Sequence, residues 1–331
     1  MEGVVRSGDG EPPFACRLAR MAMGTRFELA LPGNGRPRRD LRAAGEAALD
    51  EIAEWDRRLS AFRRDSLLSF LMREAVDRPV PIDRDTFGLL AMCVDTWRRS
   101  GGLFDIAVGG AMRAWGFRDG IGTTPASMVE AVGANHSSAD VLLDPERCTV
   151  RLARPGIHLD LGGVAKGHAI DRAAAVLRDA GIEHALLHGG TSAVAALGAP
   201  DQADAWSIAI AVPDGAAPPV RVALRDASLA VSAPHGRMVG GHGHIIDPRT
   251  ASPAACAMVA VVLGRSARDC DAWSKPLIID PGEHGRPVGM PDELTSFVAC
   301  TDDSGLCYRG GGPLWDAVTA SERPIVRSVL P

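Results

Sequence analysis

The segment over residues 157–188 limits the possible folds more than any other part of the chain. Residues 157–161 (IHLDL) form a short apolar run typical of a strand, and the glycine-rich run 162–167 (GGVAKG) follows it directly. Apolar residues then recur at helical spacing until Gly181, and a second short apolar run occupies residues 184–188. This pattern predicts a strand–helix–strand unit, and hence a chain of mixed α and β structure.

Three more helices are predicted outside this unit. Apolar residues spaced three and four apart predict an amphipathic helix from Leu41 to Leu59 and a second helix over residues 85–99. A third is expected from Ser266 to about Lys275. The side chains of the second helix expected to face the core are Phe87, Leu90, Val94 and Trp97. Alternating or short apolar runs predict strands at residues 26–31, 206–212, 220–224, 229–232 and 258–263.

The composition excludes several classes of protein. The 331 residues are 46% hydrophobic and 23% charged, as in ordinary globular proteins, and a net charge of −5 without a basic block argues against a nucleic-acid partner. No apolar run is long enough to span a membrane, and the first residues lack the apolar core of a secretory signal, so we expect a cytoplasmic protein. Seven cysteines without a C-x-x-C pair favour free thiols over a disulfide framework or a zinc site.

The basic residues are unevenly divided between two types. Of the 36 lysines and arginines, only Lys166 and Lys275 are lysines. A codon bias toward arginine explains the general pattern. Against that background, a retained lysine indicates that an ammonium group or its stem is needed at that position.

The glycine-rich run 162–167 is a candidate phosphate site. The free N–H groups and the dipole at the start of a helix attract anions, although this run matches neither the Walker A motif nor G-x-G-x-x-G. A tight turn without a ligand explains the run equally well. Asp160 and Asp171 are polar groups close to this turn, and helix capping or a salt bridge is the alternative explanation for both.

Residues 241–250 (GHGHIIDPRT) combine two histidines, an acid, an arginine and a hydroxyl group. His242 and His244 are separated by one residue and have no third ligand in view, so zinc is weakly supported. A histidine that exchanges a proton or donates to an anionic ligand fits as well.

In residues 100–117, Phe104 and Trp115 lie among glycines, and Asp105 follows Phe104. This pattern is typical either of a hairpin with core aromatics or of a flat apolar slot for a planar ring.

Taken together and in this order, these motifs resemble the ApbE family, the FAD:protein FMN transferases. The resemblance extends from Met23 to Lys275, about three quarters of the chain. The segments that carry it are residues 23–25 (MGT), 59–62 (LSAF) with 65–66 (DS), 102–105 (GLFD), 115–117 (WGF), 160–167 (DLGGVAKG) with Asp171, 189–190 (GG), 244–250 (HIIDPRT) and 271–272 (DA).

The resemblance implies an α+β fold of two α/β lobes with the FAD site in the cleft between them. It also implies an enzyme that splits FAD at its pyrophosphate, attaches FMN to a Ser or Thr hydroxyl of an acceptor flavoprotein and releases AMP. On this basis we expect an N-terminal extension over residues 1–20, the transferase domain over 21–309 and a C-terminal tail of loop composition over 310–331. Residues 119–139 are expected to be a loop or a short helix between the lobes.

The same resemblance implies roles for individual residues of the site. The flavin and adenine rings are expected to contact Met23, Phe62, Leu103, Phe104 and Asp105. The ribose and phosphates of FAD are expected to be held by Asp160, Lys166 and His244, with Asp171, Asp247 and Thr250 as further binding residues. His244 is the candidate acid, base or phosphate donor, and Asp271 organises the charges of the site.

The magnesium site of the family is altered in this chain. Its ligands are expected to be the Gly163 carbonyl, Asp271 and Ser274, but the family's metal-binding Thr is replaced by Lys275. A protonated lysine cannot ligate Mg²⁺ and competes for the carboxylate one turn away. Three interpretations follow: Lys275 replaces the metal as a tethered cation, it turns out to solvent and leaves Ser274 to complete the metal shell, or the site is inactive.

Other departures from the family pattern lie around the same cleft. The positions that differ are Leu67 for an acid, Met72 for Asn, Ala107 for Thr, His188 for Asn, and Ala233 and Ala251 for Gly. The prediction is therefore an FAD:protein FMN transferase with an altered metal end. Two alternatives stay open: an enzyme that transfers FMN to water or a small alcohol, and a non-catalytic FAD-binding protein.

Overall fold

The computed structural model describes residues 14–118, 136–201, 203–211, 220–234, 238–254, 257–302, 305–314, 318–320 and 326–327. The helices of these residues are α1 (Arg38–Leu59), α2 (Leu67–Glu74), α3 (Arg84–Arg99), α4 (Gly109–Ala114), α5 (Ala165–Asp179) and α6 (Ala267–Ile279), and a 3-10 turn covers Ser138–Asp140. The strands are β1 (Cys16–Ala22), β2 (Thr25–Leu31), β3 (Val80–Pro81), β4 (Val141–Asp144), β5 (Thr149–Leu152), β6 (Ala185–Gly189), β7 (Ala193–Leu197), β8 (Trp206–Ile210), β9 (Val220–Leu224), β10 (Ala227–Ser232), β11 (Met238–Val239), β12 (His242–Gly243), β13 (Ile246–Asp247), β14 (Ser252–Pro253), β15 (Val259–Gly264), β16 (Thr295–Asp302), β17 (Gly305–Gly311), β18 (Val318–Ala320) and β19 (Val326–Arg327).

The largest sheet of the described residues has nine strands in the order β1-β2-β6-β7-β10-β15-β16-β17-β19. Its neighbouring strands are antiparallel except β17 and β19, which are parallel. The first hairpin turns at Met23 and Gly24, whose φ angles are 49° and 71°. A two-residue hairpin loop needs positive φ at its central positions, which explains the glycine and places Met23 at the tip.

Two layers cover this sheet, and alternate residues of its strands face them. On β15, Val261 packs in one buried cluster with Trp206 and Val222 of the small sheet β18-β9-β8. Val262 packs in another cluster with Leu277 of α6. The helical layer continues over β2 and β6, where the buried residues include Phe27, Ile52, Trp55, Ile170 and Leu187. Each such side chain contributes about 1.5–3 kcal/mol when fully buried, so this core fixes the helices relative to the sheet.

The close crossing of α5 and α6 positions the candidate site. A Cβ atom on Gly167 would lie 2.2 Å from the carbonyl oxygen of Ala267 and 2.7 Å from Cβ of Asp271. Only glycine fits this approach of a backbone to a side chain. The last glycine of the 162–167 run therefore serves the packing of two helices, and it brings the start of α5 next to Asp271.

Several predicted elements are confirmed and two are wrong. Helices α1 and α5 and strand β9 form where the pattern predicts them. Residues 157–161 do not form a strand, because they make only a single bridge between His158 and Val108. The third helix does not end near Lys275. It continues through Pro276 to Ile279, and residues 277–279 are at most 3% exposed. Burial of these three side chains offsets the cost of about 3 kcal/mol that a proline adds inside a helix.

The inward face of α3 also differs from the prediction. Leu90 and Val94 are buried, but Phe87 and Trp97 are only partly buried. The other inward positions are taken by Thr86, Leu89, Cys93 and Thr96. The buried face is therefore rotated from the predicted one, and it includes Leu89 together with small polar and sulfur-containing side chains.

The ends of the chain contribute strands to the sheets. Residues 16–20 belong to β1, within the segment expected to be an extension. At the other end, β17 continues past Tyr308 to Gly311, where loop composition predicted irregular structure, and β19 pairs with it. Residues 119–135 of the predicted connection lie outside the described residues. Within the described residues, no helix is both long and apolar enough to cross a membrane.

Candidate active site

The turn before α5 is held by Asp160. Oδ1 of Asp160 accepts a hydrogen bond from the backbone N–H of Gly162 at 2.8 Å, and Oδ2 accepts one from Arg118 Nη2 at 3.1 Å. Arg118 has a side chain that is only 3% exposed, and the same Nη2 donates to the carbonyl of Leu159 at 2.8 Å. A Cβ atom on Gly162 would lie 2.9 Å from Oδ1 of Asp160, so this glycine allows the close contact. Asp160 thus shapes the glycine-rich turn as well as facing it.

The segment with Phe104 and Asp105 runs beside this turn. The backbone N–H of Asp160 donates to the carbonyl of Ile106 at 2.8 Å, and a Cβ atom on Gly163 would lie 3.7 Å from Cε2 of Phe104. Phe104 and Leu103 are 3% and 5% exposed, so their side chains are mainly core. The structure therefore brings together two motifs that are about 60 residues apart in the sequence.

Asp105 is a half-buried carboxylate with partners inside the chain. Its Oδ1 accepts hydrogen bonds from Ser138 Oγ and from the backbone N–H of Ala107, each at 2.7 Å. Burial raises the pKa of Asp105, and the two hydrogen bonds oppose this rise because they favour the charged form.

An ion pair joins the second and third turns of α6. Nζ of Lys275 donates to Oδ1 of Asp271 in a short contact, to the backbone carbonyl of Asp271 at 3.0 Å and to Ser274 Oγ at 3.2 Å. Asp271 is fully buried, and its Oδ2 accepts the backbone N–H of Gly167 at 3.0 Å. Ser274 Oγ donates to the Asp271 carbonyl at 2.7 Å and lies 2.8 Å from Ser232 Oγ. Each of these polar groups is therefore engaged.

Lys275 points inward, toward the glycine-rich turn. Its side chain is 17% exposed, and a Cβ atom on Gly163 would lie 3.5 Å from Lys275 Cε. Burial lowers the pKa of Lys275, the charge of Asp271 raises it, and the charge of Lys166 lowers it further. Lys166 lies in the first turn of α5. The only two lysines of the chain thus lie close enough to interact, and the interpretation in which Lys275 turns out to solvent is wrong for this structure.

Asp171 has a structural role at the N-terminus of α6, and its expected part in binding FAD stays a prediction. Its carboxylate accepts hydrogen bonds from Ser266 Oγ at 2.7 Å and from the backbone N–H groups of Ala267 and Arg268 at 2.8 and 3.0 Å. These groups form the N-terminus of α6, whose free N–H groups need acceptors. Burial raises the pKa of Asp171, and the three donors oppose the rise. The capping alternative is the one that the structure supports.

The histidine-rich loop reaches the same region through its packing. Ile245 is buried in a cluster with Leu103 and Trp273, and this contact places His244 beside the layer formed by α6. His244 itself is partly exposed between β12 and β13. On the other side of the loop, Trp115 Nε1 donates to the carbonyl of Ala251 at 2.8 Å. Two motifs separated by more than 120 residues therefore pack on each other.

The end of this loop is organised by Asp247. Its carboxylate accepts hydrogen bonds from three donors of Arg249: the backbone N–H at 2.9 Å, Nε at 3.0 Å and Nη2 at 2.8 Å. Thr250 is exposed. Ala251, at a position where the family resemblance predicts Gly, has a φ of 53°, a left-handed conformation that costs a non-glycine residue about 1–2 kcal/mol. The backbone at Ala251 therefore has the conformation that favours glycine.

A groove of about 510 Å³ lies between Phe62 and the Asp160 region. Phe62 is 62% exposed, so its ring is available to a ligand. The other residues that line the groove include Met72, Arg73, Arg113, Arg118 and His158. Met72, at a position where the family resemblance predicts Asn, accepts the backbone N–H of Leu159 with its Sδ at 3.2 Å. The groove thus combines the apolar side chains of Phe62, Met72 and Ile157 with several arginines.

These residues do not fit a divalent cation. Mg²⁺ requires free oxygen ligands in near-octahedral geometry, whereas both oxygens of Asp271 are bound to N–H donors and an ammonium lies on Ser274 Oγ. Within the described residues, no group of three or more His, Cys, Asp or Glu side chains could hold a metal ion. The expected metal site of Gly163, Asp271 and Ser274 is thus arranged around Lys275.

Three residues of the site were missed by the sequence analysis. Arg118, Ser138 and Ser232 contact Asp160, Asp105 and Ser274, respectively. Arg118 directly follows the Trp-Gly-Phe motif, and an arginine next to a buried aromatic residue was the available signal. The two serines have no distinctive pattern in the sequence.

The comparisons with known proteins identify the family of this chain. The ApbE family model matches residues 23–289, so the chain belongs to the ApbE family. An FAD:protein FMN transferase of Treponema pallidum is 32% identical over 240 residues, 66% of this chain and 66% of that protein. One of Rhodobacter capsulatus is 32% identical over 245 residues, 70% of this chain but only 45% of that protein. The chain therefore spans about two thirds or less of these two curated relatives.

Solved structures confirm the mixed α and β fold. The flavin transferase ApbE from Vibrio cholerae superposes with a TM-score of 0.78 at 22% identity, covering 89% of this chain and 96% of that one. The ApbE protein from Thermotoga maritima superposes with a TM-score of 0.77 at 22% identity, covering 93% and 97%. At this level of identity the agreement shows the fold.

Proposed function

We propose that this protein is an FAD:protein FMN transferase. The observation that carries the proposal is membership of the ApbE family together with the convergence of its motifs. The glycine-rich turn lies beside Phe104 and Lys275, and the histidine-rich loop packs in one cluster with Leu103 and Trp273. The substrate is FAD, and the acceptor is a Ser or Thr hydroxyl of a flavoprotein.

The proposed transfer is a phosphoryl substitution with a simple balance of bonds. The acceptor hydroxyl oxygen forms a bond to the phosphorus on the FMN side of the pyrophosphate. The bond between that phosphorus and the bridging oxygen breaks, and AMP leaves with this oxygen. The hydroxyl proton passes to a nearby base or to the AMP phosphate. Such a reaction needs positioning and neutralisation of negative charge more than covalent assistance.

The side chains of the cleft suit these tasks. The N–H groups at the start of α5 and the Lys166 ammonium provide positive charge for the pyrophosphate. The exposed ring of Phe62, beside a groove with basic residues, suits a planar ring that carries phosphate groups. His244 is half-exposed on a loop that packs against the α6 layer, where it can donate to a phosphate or accept the hydroxyl proton.

The experiment that tests this function follows both products of FAD. The full-length protein is incubated with FAD and soluble protein from the source cells, AMP is measured by chromatography, and covalent flavin is detected by fluorescence in a denaturing gel. We expect AMP to appear together with a fluorescent acceptor band, and we expect His244→Ala to reduce both. Equal amounts of free FMN and AMP without a fluorescent band would contradict transfer to protein and favour hydrolysis. Intact FAD bound to the protein would contradict catalysis.

A cytoplasmic location stays a prediction from the sequence, and fractionation of the source cells tests it.

A further inference from the structure

The site has a cation of its own. Lys275 lies on a buried turn of α6 with its ammonium among three oxygens: Oδ1 and the backbone carbonyl of Asp271, and Oγ of Ser274. An ammonium has three N–H donors, so three acceptors use its full capacity. Asp271 and Ser274 are two of the three residues that the family resemblance assigns to a metal ion.

The surroundings hold the ammonium in place rather than merely tolerating it. Asp271 cannot turn away, because its second oxygen accepts the backbone N–H of Gly167 and its residue is fully buried. Ser274 cannot turn away either, since Ser232 lies 2.8 Å from its hydroxyl oxygen on the opposite side. The stem of Lys275 passes over Gly163, where a Cβ atom would be in ordinary van der Waals contact with Cε at 3.5 Å. The positive charge is thereby fixed beside the glycine-rich turn.

The composition of the chain supports a specific need for lysine at this position. The chain uses arginine for 34 of its 36 basic residues, and both exceptions, Lys166 and Lys275, interact within this site. An ammonium is a compact point charge, whereas a guanidinium is a planar fork that binds in two directions. Only the compact charge can stand among oxygens that converge on one point, as a metal ion does.

We propose that the Lys275 ammonium is the resident cation of this site and that the protein binds and splits FAD without a divalent metal ion. This inference rests on the proposed function for its catalytic part. The ammonium acts on the pyrophosphate through its charge, because its three N–H donors are engaged by Asp271 and Ser274, which act as positioning residues that hold it there. Lys166, in the first turn of α5, adds a second positive charge to the site.

The test compares the wild-type protein with Lys275→Thr and Lys275→Met. Threonine frees the Asp271 carboxylate and adds a hydroxyl ligand, while methionine removes the charge and adds no oxygen. Binding of Mn²⁺ to each full-length protein is measured by electron paramagnetic resonance, which needs no turnover. We expect Mn²⁺ to bind to Lys275→Thr and not to the wild-type protein, with Lys275→Met at least about tenfold weaker than Lys275→Thr because it lacks the hydroxyl ligand.

AMP release from FAD is then measured in EDTA and in Mg²⁺. We expect the wild-type rate to be the same in both, and the rate of Lys275→Thr to fall by about 10²-fold in EDTA and to recover in Mg²⁺. Mn²⁺ binding to the wild-type protein, or wild-type AMP release that requires Mg²⁺, would overturn the proposal. If no protein releases AMP under any condition, the proposed function fails, and the Mn²⁺ measurements still decide which cation the site holds. The wild-type measurements need no substitution, so they stand even if a variant does not fold.

Discussion

Two carboxylates at helix α6 are engaged in opposite ways: the partly buried Asp171, which lies at its N-terminus, and the fully buried Asp271, which belongs to it. At its N-terminus, Asp171 of α5 accepts two backbone N–H groups and the Ser266 hydroxyl, all of them neutral donors that are fixed by the fold. One turn further along, Asp271 accepts one backbone N–H and a lysine ammonium. Both residues belong to motifs that resemble the family pattern, so the sequence alone does not distinguish their roles.

The difference shows how a structural acid is distinguished from an acid of the site. A carboxylate whose partners are all neutral donors of a helix end stabilises the fold and has no capacity left for a ligand. A carboxylate that holds a charged side chain controls where that charge stands, and this charge can act on a substrate. The changes below test this distinction, beginning with the largest expected effect.

Asp271→Asn is expected to have the largest effect. It removes the partner of a mostly buried ammonium, which costs about 3 kcal/mol of unfolding free energy. The Lys275 ammonium is then no longer held beside the glycine-rich turn, which lowers the rate of AMP release by about 10²-fold. Urea unfolding and the AMP assay measure the two effects. Because Asp271 acts through Lys275, we expect kcat to fall more than KM rises. An increase of KM alone would indicate that Asp271 contacts FAD directly.

Asp171→Ala is expected to affect stability without a comparable effect on activity. It leaves the Ser266 hydroxyl and two N–H groups of the α6 N-terminus without their acceptor, at a cost of about 2–3 kcal/mol. AMP release by the folded protein should change by less than about tenfold, since no partner of Asp171 is part of the cleft. A loss of activity as large as that of Asp271→Asn, at full folding, would make the two carboxylates equivalent and contradict the distinction.

His168 tests the packing of α5 against α1 through pH. It is 4% exposed, its ring packs edge-on against Trp55, and burial, with a smaller contribution from Arg268, lowers its pKa to about 3. The unfolded chain takes up this proton near pH 6.5 and the folded chain does not, so stability is lost as pH falls from about 6.5 toward 3. Between pH 7 and pH 5 this amounts to about 2 kcal/mol.

The control for this pH effect is His168→Phe, which keeps a ring beside Trp55 and cannot take up a proton. Its unfolding free energy, measured in urea at both pH values, should decline by about 2 kcal/mol less than that of the wild-type protein. Equal declines in the two proteins would mean that His168 is protonated in the folded state.

Ser138→Ala should have the smallest effect and extends the comparison to a third acid. Asp105 resembles Asp171 in that its partners are neutral donors, Ser138 Oγ and the Ala107 N–H. Loss of one hydroxyl donor should cost about 1 kcal/mol of stability and raise the pKa of Asp105 further. Fluorescence titration with FAD should give a Kd within about threefold of the wild-type value, and a much larger change would show that Asp105 orients the ligand.

The sequence predicted the parts of the fold that depend on local periodicity. Helix α1 and helix α5 follow directly from apolar residues at helical spacing, and β2 from alternation. The failures arise where tertiary contacts decide. Residues 157–161 have the composition of a strand, but they bond to the segment around Val108 through two backbone hydrogen bonds only, from the Gly109 N–H to the His158 carbonyl and from the Asp160 N–H to the Ile106 carbonyl, which make a single bridge.

Several residues of the candidate site could be predicted from the sequence, but the side chains and backbone groups that they contact could not. Local motifs identified Asp160, Asp271 and Lys275, and the substitution of a lysine for a metal ligand is visible in the sequence. The sequence could not predict that Arg118 is buried against Asp160, or that Asp171 accepts from the N-cap residue of a helix, Ser266, 95 residues later. The first contact joins the segment after α4 to the turn before α5, and the second depends on the crossing of α5 and α6, so no local pattern reports either.

The most direct measurement is the rate of AMP release from FAD by the full-length wild-type protein in EDTA and in Mg²⁺, with acceptor protein present. If the Lys275 ammonium is the cation of the site, the two rates are equal and flavin becomes covalently attached in both. A rate that EDTA abolishes and Mg²⁺ restores would contradict the account, because a metal ion would then have to displace Lys275 from Asp271.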